Sequence, residues 1–222
     1  MEHLLEQWDA ARNAPYTPEM VSYGSRLKVW WRCEQGHEWQ SLVKSRTDGC
    51  NCPVCTNRML LTGENDLASR FPDLAAQWHP AKNGTLTPEQ VIYSSHRKVW
   101  WQCVYGHAWQ SRVTTRTQAG SGCPVYAGKA VEPGFNDLAH GVPEVAVQWD
   151  TEKNDGLTPE QVTLFSNRVV WWRCGRGHSY RAAVGARTNS GSSCPYCAGK
   201  KVLAGFNDLR TLEPQVAAQW HP

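Results

Sequence analysis

The stretch Trp30-Trp31-Arg32-Cys33-Glu34-Gln35-Gly36-His37 occurs three times in this chain with its tryptophans, cysteine and Gly-His pair retained. The second and third copies, Trp100–His107 and Trp171–His178, begin 70 and then 71 residues further along. A Cys-Pro pair follows each copy at a nearly constant distance. Cysteine and histidine kept at fixed spacing through such a repeat indicate a tandem array of small metal-binding units.

The period divides the 222-residue chain into predicted units over residues 1–61, 62–131 and 132–203, with a partial fourth unit or capping helix over 204–222. Units of this size bury little surface and usually need a disulfide or a metal for stability. The nine cysteines are an odd number, the N-terminal residues show no secretory signal pattern, and no stretch reaches the ~18 apolar residues of a membrane span. We therefore expect a cytoplasmic protein with thiolate cysteines and no membrane association.

Each unit follows one predicted order of elements. A helix of two to three turns leads to a tryptophan that recurs in every unit, and Pro72, Pro143 and Pro214 suit the first position of that helix. A short helical turn begins at the Thr-Pro pair, and a β-hairpin follows with the Cys-x3-His element at its turn and Val43 in its second strand. The proline of Cys-Pro-x-Cys favours a further helix start. One tryptophan of each pair should pack on this module, while the other covers a neighbouring unit or stacks on bases.

Two repeats carry four soft ligands in two close pairs, which is the arrangement that tetrahedral zinc requires. A mixed set of three cysteines and one histidine favours zinc over iron. We predict two full Zn²⁺ sites, formed by Cys33, His37, Cys52 and Cys55 and by Cys174, His178, Cys194 and Cys197.

The second repeat has an incomplete ligand set. Cys103, His107 and Cys123 are present, but Tyr126 replaces the last cysteine, and a phenol is a poor zinc ligand near neutral pH. Three ligands with an open position also describe catalytic zinc, although residues 91–131 contain no Asp or Glu to act as a general base. We favour a degenerate or weakly metallated third site over a catalytic one. Cys50 is interpreted as a spare thiol.

These motifs resemble those of the treble-clef "probable zinc-ribbon" repeat family over essentially the whole chain. The matching positions are Gly36-His37-x-Trp39, Arg46, Cys52-Pro53-x-Cys55, Arg187, Cys194-Pro195-x-Cys197 and Phe206-Asn207-Asp208-Leu209. The resemblance implies a small, zinc-stabilised α+β fold, here a tandem array of three treble-clef or zinc-ribbon-like repeats with connecting helices. It also implies nucleic-acid binding, since relatives are often joined to nuclease-like domains.

Charge is distributed unevenly along the chain. Residues 21–61 hold six Lys and Arg against three Asp and Glu, residues 91–131 hold five against none, and residues 162–203 hold seven against none. Basic fingers offset by acidic connectors are typical of a polyanion binder, although a solvated charged face is the alternative. Candidate phosphate contacts are Lys28, Lys44, Lys98, Arg112, Arg173, Arg176, Arg181, Lys200 and Lys201. Arg46, Arg116 and Arg187 recur at one position, where they contact phosphate or donate to carbonyls of the zinc loop.

We therefore expect a non-enzymatic nucleic-acid-binding protein, with double-stranded DNA favoured over RNA, that recruits a nuclease or mobile-element machinery. The alternative is a protein-interaction scaffold that uses its acidic connectors and exposed tryptophans. A nuclease in its own right is the weakest interpretation, because each Gly-His histidine is committed to zinc and no cluster of carboxylates accompanies it.

Overall fold

A computed structural model describes residues 2–220, with side chains for residues 3–220. Met1, in the predicted first unit, and His221 and Pro222, in the predicted fourth, lie outside the described residues. The chain divides into two compact units, Met1–Ser121 and Gly122–Pro222. No helix within the described range combines the length and apolar character needed to cross a membrane.

The first unit contains two antiparallel hairpins and short helices of one turn. In chain order it comprises α1 (Glu2–Leu5), α2 (Ala10–Asn13), a 3₁₀ turn (Pro18–Met20), β1 (Lys28–Arg32), β2 (Glu38–Leu42), α3 (Val43–Thr47), α4 (Leu67–Arg70), α5 (Pro72–Ala75), a 3₁₀ turn (Pro88–Gln90), β3 (Lys98–Gln102), β4 (Ala108–Arg112) and α6 (Val113–Thr117).

The second unit repeats this order around one hairpin. It comprises α7 (Leu138–Gly141), α8 (Pro143–Ala146), a 3₁₀ turn (Pro159–Gln161), β5 (Val169–Arg173), β6 (Ser179–Ala183), α9 (Val184–Thr188), α10 (Leu209–Leu212) and α11 (Pro214–Ala217). The small α+β fold with short antiparallel strand pairs confirms the predicted fold class.

Alternation along the strands decides which tryptophan enters the core of each repeat. Side chains on a strand point to opposite faces, so the two tryptophans of a pair separate. The second one is buried in every repeat and lies opposite an aromatic residue of the partner strand, namely Trp31↔Trp39, Trp101↔Trp109 and Trp172↔Tyr180. This confirms the prediction that one tryptophan of each pair packs on the module.

The connector tryptophan completes the aromatic core of each repeat. Trp8 meets Trp31 edge to face with ring centroids 5.6 Å apart, and the pairs Trp78–Trp101 and Trp149–Trp172 repeat this at 5.7 and 5.5 Å. Edge-to-face aromatic pairs are favourable beyond the area they bury. The three repeats therefore share one packing solution, which explains why the tryptophans occupy fixed repeat positions.

The predicted connector helix of two to three turns was wrong. The structure has separate single-turn helices instead, such as α4 and α5, with Phe71 between them at φ −140° and ψ 66°. Pro72 starts α5 as expected, but α5 ends after one turn at Ala75, because the N–H groups of Gln77 and Trp78 donate three residues back, to the carbonyls of Leu74 and Ala75. A residue before proline is disfavoured in the α conformation, so Pro72 also keeps α4 from continuing into α5. Val142 and Glu213 break the helices of the second unit in the same way.

Two local assignments were also wrong. Val43 begins α3 and does not continue the strand, which ends at Leu42. No helix starts at Cys52-Pro53-Val54-Cys55, where the Thr56 N–H reaches the Cys52 carbonyl at 3.1 Å but the chain closes after this single turn. Asn57 has a left-handed φ of +55°, and the N–H groups of Arg58 and Met59 both return to the Pro53 carbonyl, a pattern that terminates helices.

Candidate metal centres and basic surfaces

The hairpin turn places the first pair of candidate ligands. The Cys33 N–H donates to the His37 carbonyl at 3.0 Å, and the Gly36 N–H donates to the Cys33 carbonyl at 2.9 Å. Gly36 has φ +85°, a conformation that glycine adopts without steric cost. This closed turn directs a thiol and an imidazole to the same side of the hairpin, as the sequence predicts.

The Cys-Pro turn brings the second pair to the first. His37 Nδ1 lies 3.3, 3.6 and 3.2 Å from the Sγ atoms of Cys33, Cys52 and Cys55, and Cys33 Sγ lies 3.7 Å from Cys55 Sγ. In the second unit, His178 Nδ1 lies 3.6, 3.7 and 3.3 Å from Cys174, Cys194 and Cys197, while Cys174 and Cys197 are 3.9 Å apart.

These distances fit the edges of a zinc tetrahedron. Bonds of about 2.3 Å to sulfur and about 2.0 Å to nitrogen at tetrahedral angles give S···S edges of about 3.8 Å and S···N edges of about 3.5 Å. The observed separations scatter around both values in both clusters. Four protein ligands also form a complete coordination shell, which is the form of structural zinc sites. The predicted complete ligand sets are thus each brought together in three dimensions.

The proximity of the sulfurs also affects the ionisation of the thiols. Desolvation, followed by hydrogen bonding to the neighbouring thiols, raises the pKa of Cys55 to about 12 and that of Cys197 to about 11. Thiols so close together resist carrying negative charge simultaneously, because each thiolate disfavours the next. A bound dication removes this repulsion, and metal binding would therefore release protons from these clusters.

The environment of the ligand histidine differs between the two complete sites. His37 Nε2–H donates to the Glu64 carboxylate, an arrangement that fixes the ring with Nδ1 toward the sulfurs. His178 instead packs edge to face on Phe206, with centroids 4.2 Å apart. Glu64 and Phe206 occupy equivalent repeat positions. Reasoning from the sequence missed this role, although the repeat alignment already showed the Glu-to-Phe exchange.

Comparison with protein families agrees with this geometry. The family model described as a probable treble clef zinc finger domain matches residues 4–58, 74–128 and 145–200. The chain belongs to this family. No curated protein matches the sequence.

The candidate ligands of the second treble clef repeat are divided between the two compact units. In the first unit, Cys103 Sγ lies 3.4 Å from His107 Nδ1, in the same hairpin turn as in the other repeats. In the second unit, Cys123 is buried, and its sulfur accepts the Tyr126 N–H at 3.5 Å. The Tyr126 side chain is 66% exposed. Zinc occupancy of this repeat stays a prediction.

The recurring arginine of each treble clef repeat is buried. Arg46 donates to the Cys50 carbonyl and to Gln7 Oε1, and its guanidinium lies over Trp31 and Trp39 at 5.4 and 5.3 Å. Arg116 and Arg187 repeat these contacts with the carbonyls of Ser121 and Ser192. Of the two predicted roles, the structure shows the carbonyl contact. The predicted phosphate contact has no support, because these guanidinium groups are withdrawn from solvent.

The other predicted phosphate-contacting residues all lie on the surface: Lys28, Lys44, Lys98, Arg112, Arg173, Arg176, Arg181, Lys200 and Lys201. Two of them have acidic partners. Arg173 pairs with buried Asp150 at 3.1 Å and with Glu152 at 2.6 Å, and Lys44 pairs with Asp48 at 3.0 Å. The Asp150 pair positions the Arg173 side chain toward its own connector.

The first tryptophan of each pair is half-buried beneath a cation from the connector. Arg12, Lys82 and Lys153 lie 4.7, 4.6 and 4.9 Å from the ring centroids of Trp30, Trp100 and Trp171, within the range of cation–π attraction. The backbone of each is held by an asparagine seventeen residues earlier, as where Asn154 accepts the Trp171 N–H at 2.8 Å and donates to its carbonyl at 2.9 Å. This asparagine recurs at one repeat position in the sequence, and that recurrence could have predicted its structural role.

Proposed function

We propose that this chain is a non-enzymatic, zinc-stabilised nucleic-acid-binding protein, with double-stranded DNA favoured over RNA. Zinc would hold the hairpin of a repeat against its Cys-Pro turn through Cys33, His37, Cys52 and Cys55, and through the equivalent set of the third repeat. The metal would supply folding energy there, because a complete shell of four protein ligands leaves no position for substrate or water.

The observation that carries the proposal is the exposed charge of residues 162–203. This segment contains seven Lys and Arg and no Asp or Glu. Five of its cations are exposed and form no ion pair with any described residue of their unit: Arg168, Arg176, Arg181, Lys200 and Lys201. Cations without acidic partners on a small rigid module favour a polyanion, since binding releases the counterions condensed on phosphates.

The first unit supports the same proposal more weakly. Lys98 and Arg112 face each other across the strands of the second hairpin and are both exposed, in a segment that also lacks Asp and Glu. Around the first hairpin, by contrast, Arg32 pairs with Glu38 at 2.5 Å and Lys44 with Asp48. We therefore expect the first repeat to contribute least to phosphate binding.

The competing function, a scaffold that binds proteins through exposed tryptophans, loses part of its basis in the structure. Eleven of the twelve tryptophans are buried or half-buried, and Trp220 is the exposed one among residues 3–220. A tryptophan-centred interface would also respond weakly to salt. Salt dependence therefore separates the two functions.

The test is fluorescence anisotropy of zinc-loaded protein with labelled duplex DNA at several salt concentrations, with single-stranded DNA and duplex RNA as comparisons. Each phosphate contact contributes a log–log slope of about −0.9 on duplex DNA. The double variant Lys200→Ala/Lys201→Ala should lower the magnitude of the slope by about 1.8 at unchanged folding. The double variant Lys153→Ala/Arg210→Ala removes the same charge from the connectors and should change the slope much less.

Two results would overturn the proposal. Absence of duplex binding at low salt would make the protein scaffold the leading function. Equal effects of the two double variants would show that binding follows net charge and does not use the finger surface.

As an extension, such an array would bring a nuclease or mobile-element machinery to DNA. We also propose a cytoplasmic location, because reducing conditions there keep cysteines available as thiolates. All nine cysteines are free of disulfides.

A further inference from the structure

An apolar groove of about 310 Å³ lies on the first repeat. Its lining includes Leu4, Trp8, Val21, Tyr23 and Val43. The residues at the equivalent positions of the other repeats include Val91 and Tyr93 in the second and Val162 and Leu164 in the third. The three repeats therefore offer a direct comparison of what occupies this groove.

In the second repeat the groove is filled by the Asn-Asp-Leu segment, residues 65–71, of the preceding connector. Leu67 is fully buried, and its N–H donates to the Val91 carbonyl at 2.8 Å. The Tyr93 N–H donates back to the Asn65 carbonyl at 3.1 Å, and Phe71 packs on the Tyr93 ring with centroids 5.7 Å apart. A short antiparallel bridge and one leucine thus close the groove.

The third repeat uses the same arrangement with residues 136–142. Leu138 is fully buried, and its N–H donates to the Val162 carbonyl at 3.0 Å. The Leu164 N–H returns to the Asn136 carbonyl at 3.4 Å. Leu138 belongs to the main apolar core of its unit. Filling of the groove is therefore a recurring part of the fold and does not depend on one sequence context.

In the first repeat no described segment takes this position. Tyr23 is 75% exposed, and Val21 is only half-buried, whereas Val91 and Val162 are buried. Within residues 2–220, no backbone hydrogen bond reaches the Val21 carbonyl or leaves the Tyr23 N–H, which are the two groups that the bridge engages in the other repeats. An apolar groove beside an unpaired backbone edge is suited to main-chain recognition of an extended segment.

A fourth Asn-Asp-Leu segment, residues 207–213, has the matching conformation. Asn207 donates to the Tyr196 carbonyl at 2.8 Å, and Asp208 caps α10 by accepting the Thr211 N–H at 3.0 Å. The backbone of Asp208, at φ −76° and ψ 157°, is close to that of Asp137, at −77° and 162°. Leu209 is nevertheless 43% exposed, whereas the equivalent residues Leu67 and Leu138 are fully buried. The segment therefore already has the groove-binding conformation, although its leucine is not buried in a groove in the described structure.

We propose that the groove of the first repeat binds the 207–213 segment of a second copy of this chain, with Leu209 in the place that Leu67 and Leu138 occupy internally. The Leu209 N–H would donate to the Val21 carbonyl, and the Tyr23 N–H would donate to the Asn207 carbonyl. Because the groove and the segment are formed by different residues of the chain, the contact is head-to-tail and can propagate from copy to copy.

Complementary surface variants test this proposal without disturbing a core. Tyr23→Asp disables the groove, Leu209→Asp disables the segment, and both side chains are exposed enough to leave folding intact. Val147→Asp replaces another exposed apolar side chain and serves as the control. The mass of each zinc-loaded chain would be measured by sedimentation over a concentration series, without nucleic acid.

We expect the wild-type protein and Val147→Asp to gain mass with concentration, and each disabling variant to associate at least about tenfold more weakly, since a leucine would lose its buried site. An equimolar mixture of Tyr23→Asp and Leu209→Asp should stop at a one-to-one dimer, because only one intact groove and one intact segment remain. A monomeric wild-type protein at about 100 μM, or a mixture that stays monomeric, would overturn the proposal.

Direct binding of labelled peptides tests whether the occupant of the groove is the 207–213 segment or another segment. Labelled peptide 203–217 should bind the Leu209→Asp chain, whose groove is intact, and should not bind Tyr23→Asp. If peptide 61–75 binds and peptide 203–217 does not, the groove accepts the segment that fills the second repeat but not the 207–213 segment, and the second-copy assignment is wrong.

Discussion

Replacing Arg187 with methionine tests whether the recurring arginine is a structural group or a phosphate contact. The guanidinium donates to the Ser192 carbonyl and to Gln148 Oε1, the latter at 2.6 Å, and lies over the rings of Trp172 and Tyr180. These contacts join the hairpin, the zinc loop and the connector of the third repeat. Methionine retains most of the apolar stem but none of the donors.

The magnitude follows from these contacts. Hydrogen bonds made by charged groups contribute about 1.5–3 kcal/mol each, so two of them give roughly 3–6 kcal/mol before costs. Removing the charge recovers part of this, because a buried guanidinium is expensive to desolvate and its Nε has no partner among the described residues. We therefore expect a loss of about 3 kcal/mol in the free energy of unfolding, near the lower end of that range.

The assay is urea unfolding of the zinc-loaded protein, followed by near-ultraviolet circular dichroism of the buried tryptophans. With a urea dependence of about 1–3 kcal/mol per M, the midpoint should fall by roughly 1–3 M. The matched control is Arg181→Met, which replaces an exposed arginine of strand β6 in the same repeat. It should leave stability within about 0.5 kcal/mol of the wild type but weaken DNA binding.

The two arginines should therefore differ in the property that they affect: Arg187→Met lowers stability, whereas Arg181→Met weakens DNA binding at nearly unchanged stability. If Arg187→Met changed stability by less than about 1 kcal/mol and weakened DNA binding as much as Arg181→Met, the buried arginine would be a phosphate contact in the bound state. The carbonyl contacts would then be incidental to its role.

Three further predictions concern metal and charge. Elemental analysis should find two zinc ions per wild-type chain and three after Tyr126→Cys; tight binding of three by the wild type would refute the degenerate second site. Cys197→Ser should unfold the third repeat while the first stays folded, seen as loss of amide dispersion for residues 132–203, because that repeat depends on its metal; retained dispersion there would refute this dependence. Burial raises the pKa of Asp137, but hydrogen bonds from the N–H groups of His140 and Gly134 lower it by more, so its folded pKa lies below the ordinary 3.8. Its stabilisation is complete above the ordinary value and is lost as pH falls through the folded pKa. The advantage of the wild type over Asp137→Asn in thermal melts should therefore be constant from pH 7 to about 5 and shrink toward acid; a constant difference at all pH values would exclude this charge effect.

The candidate zinc ligands could be identified from the sequence because their geometry is local. Cys33 and His37 belong to one hairpin turn, and Cys52 and Cys55 to one Cys-Pro turn, so spacing alone specifies two preformed pairs. Strand alternation likewise predicted that one tryptophan of each pair would enter the core, and the structure shows that it is the second, such as Trp31. The repeat then supplied the same evidence again at Cys174–Cys197, and the family match agrees with it.

Other features depend on neighbours that are distant in sequence. The helix expected before Trp78 begins at Pro72 as predicted but ends at Ala75 after one turn, because the N–H groups of Gln77 and Trp78 donate only three residues back. The amphipathic spacing of the sequence does not show where this helix ends. Nothing local distinguishes Glu64 from any surface acid until the fold places it beside His37.

The sequence by itself determined the number of repeats, the ligand sets and the position of each hairpin, since all three follow from residues close together along the chain. Only the tertiary structure decided that Arg46, Arg116 and Arg187 are buried while Arg176 and Lys200 are exposed. It also decided that Leu67 and Leu138 fill grooves while Leu209 does not. Burial depends on which surfaces meet in the folded chain, and identical motifs therefore acquire different roles according to what packs against them.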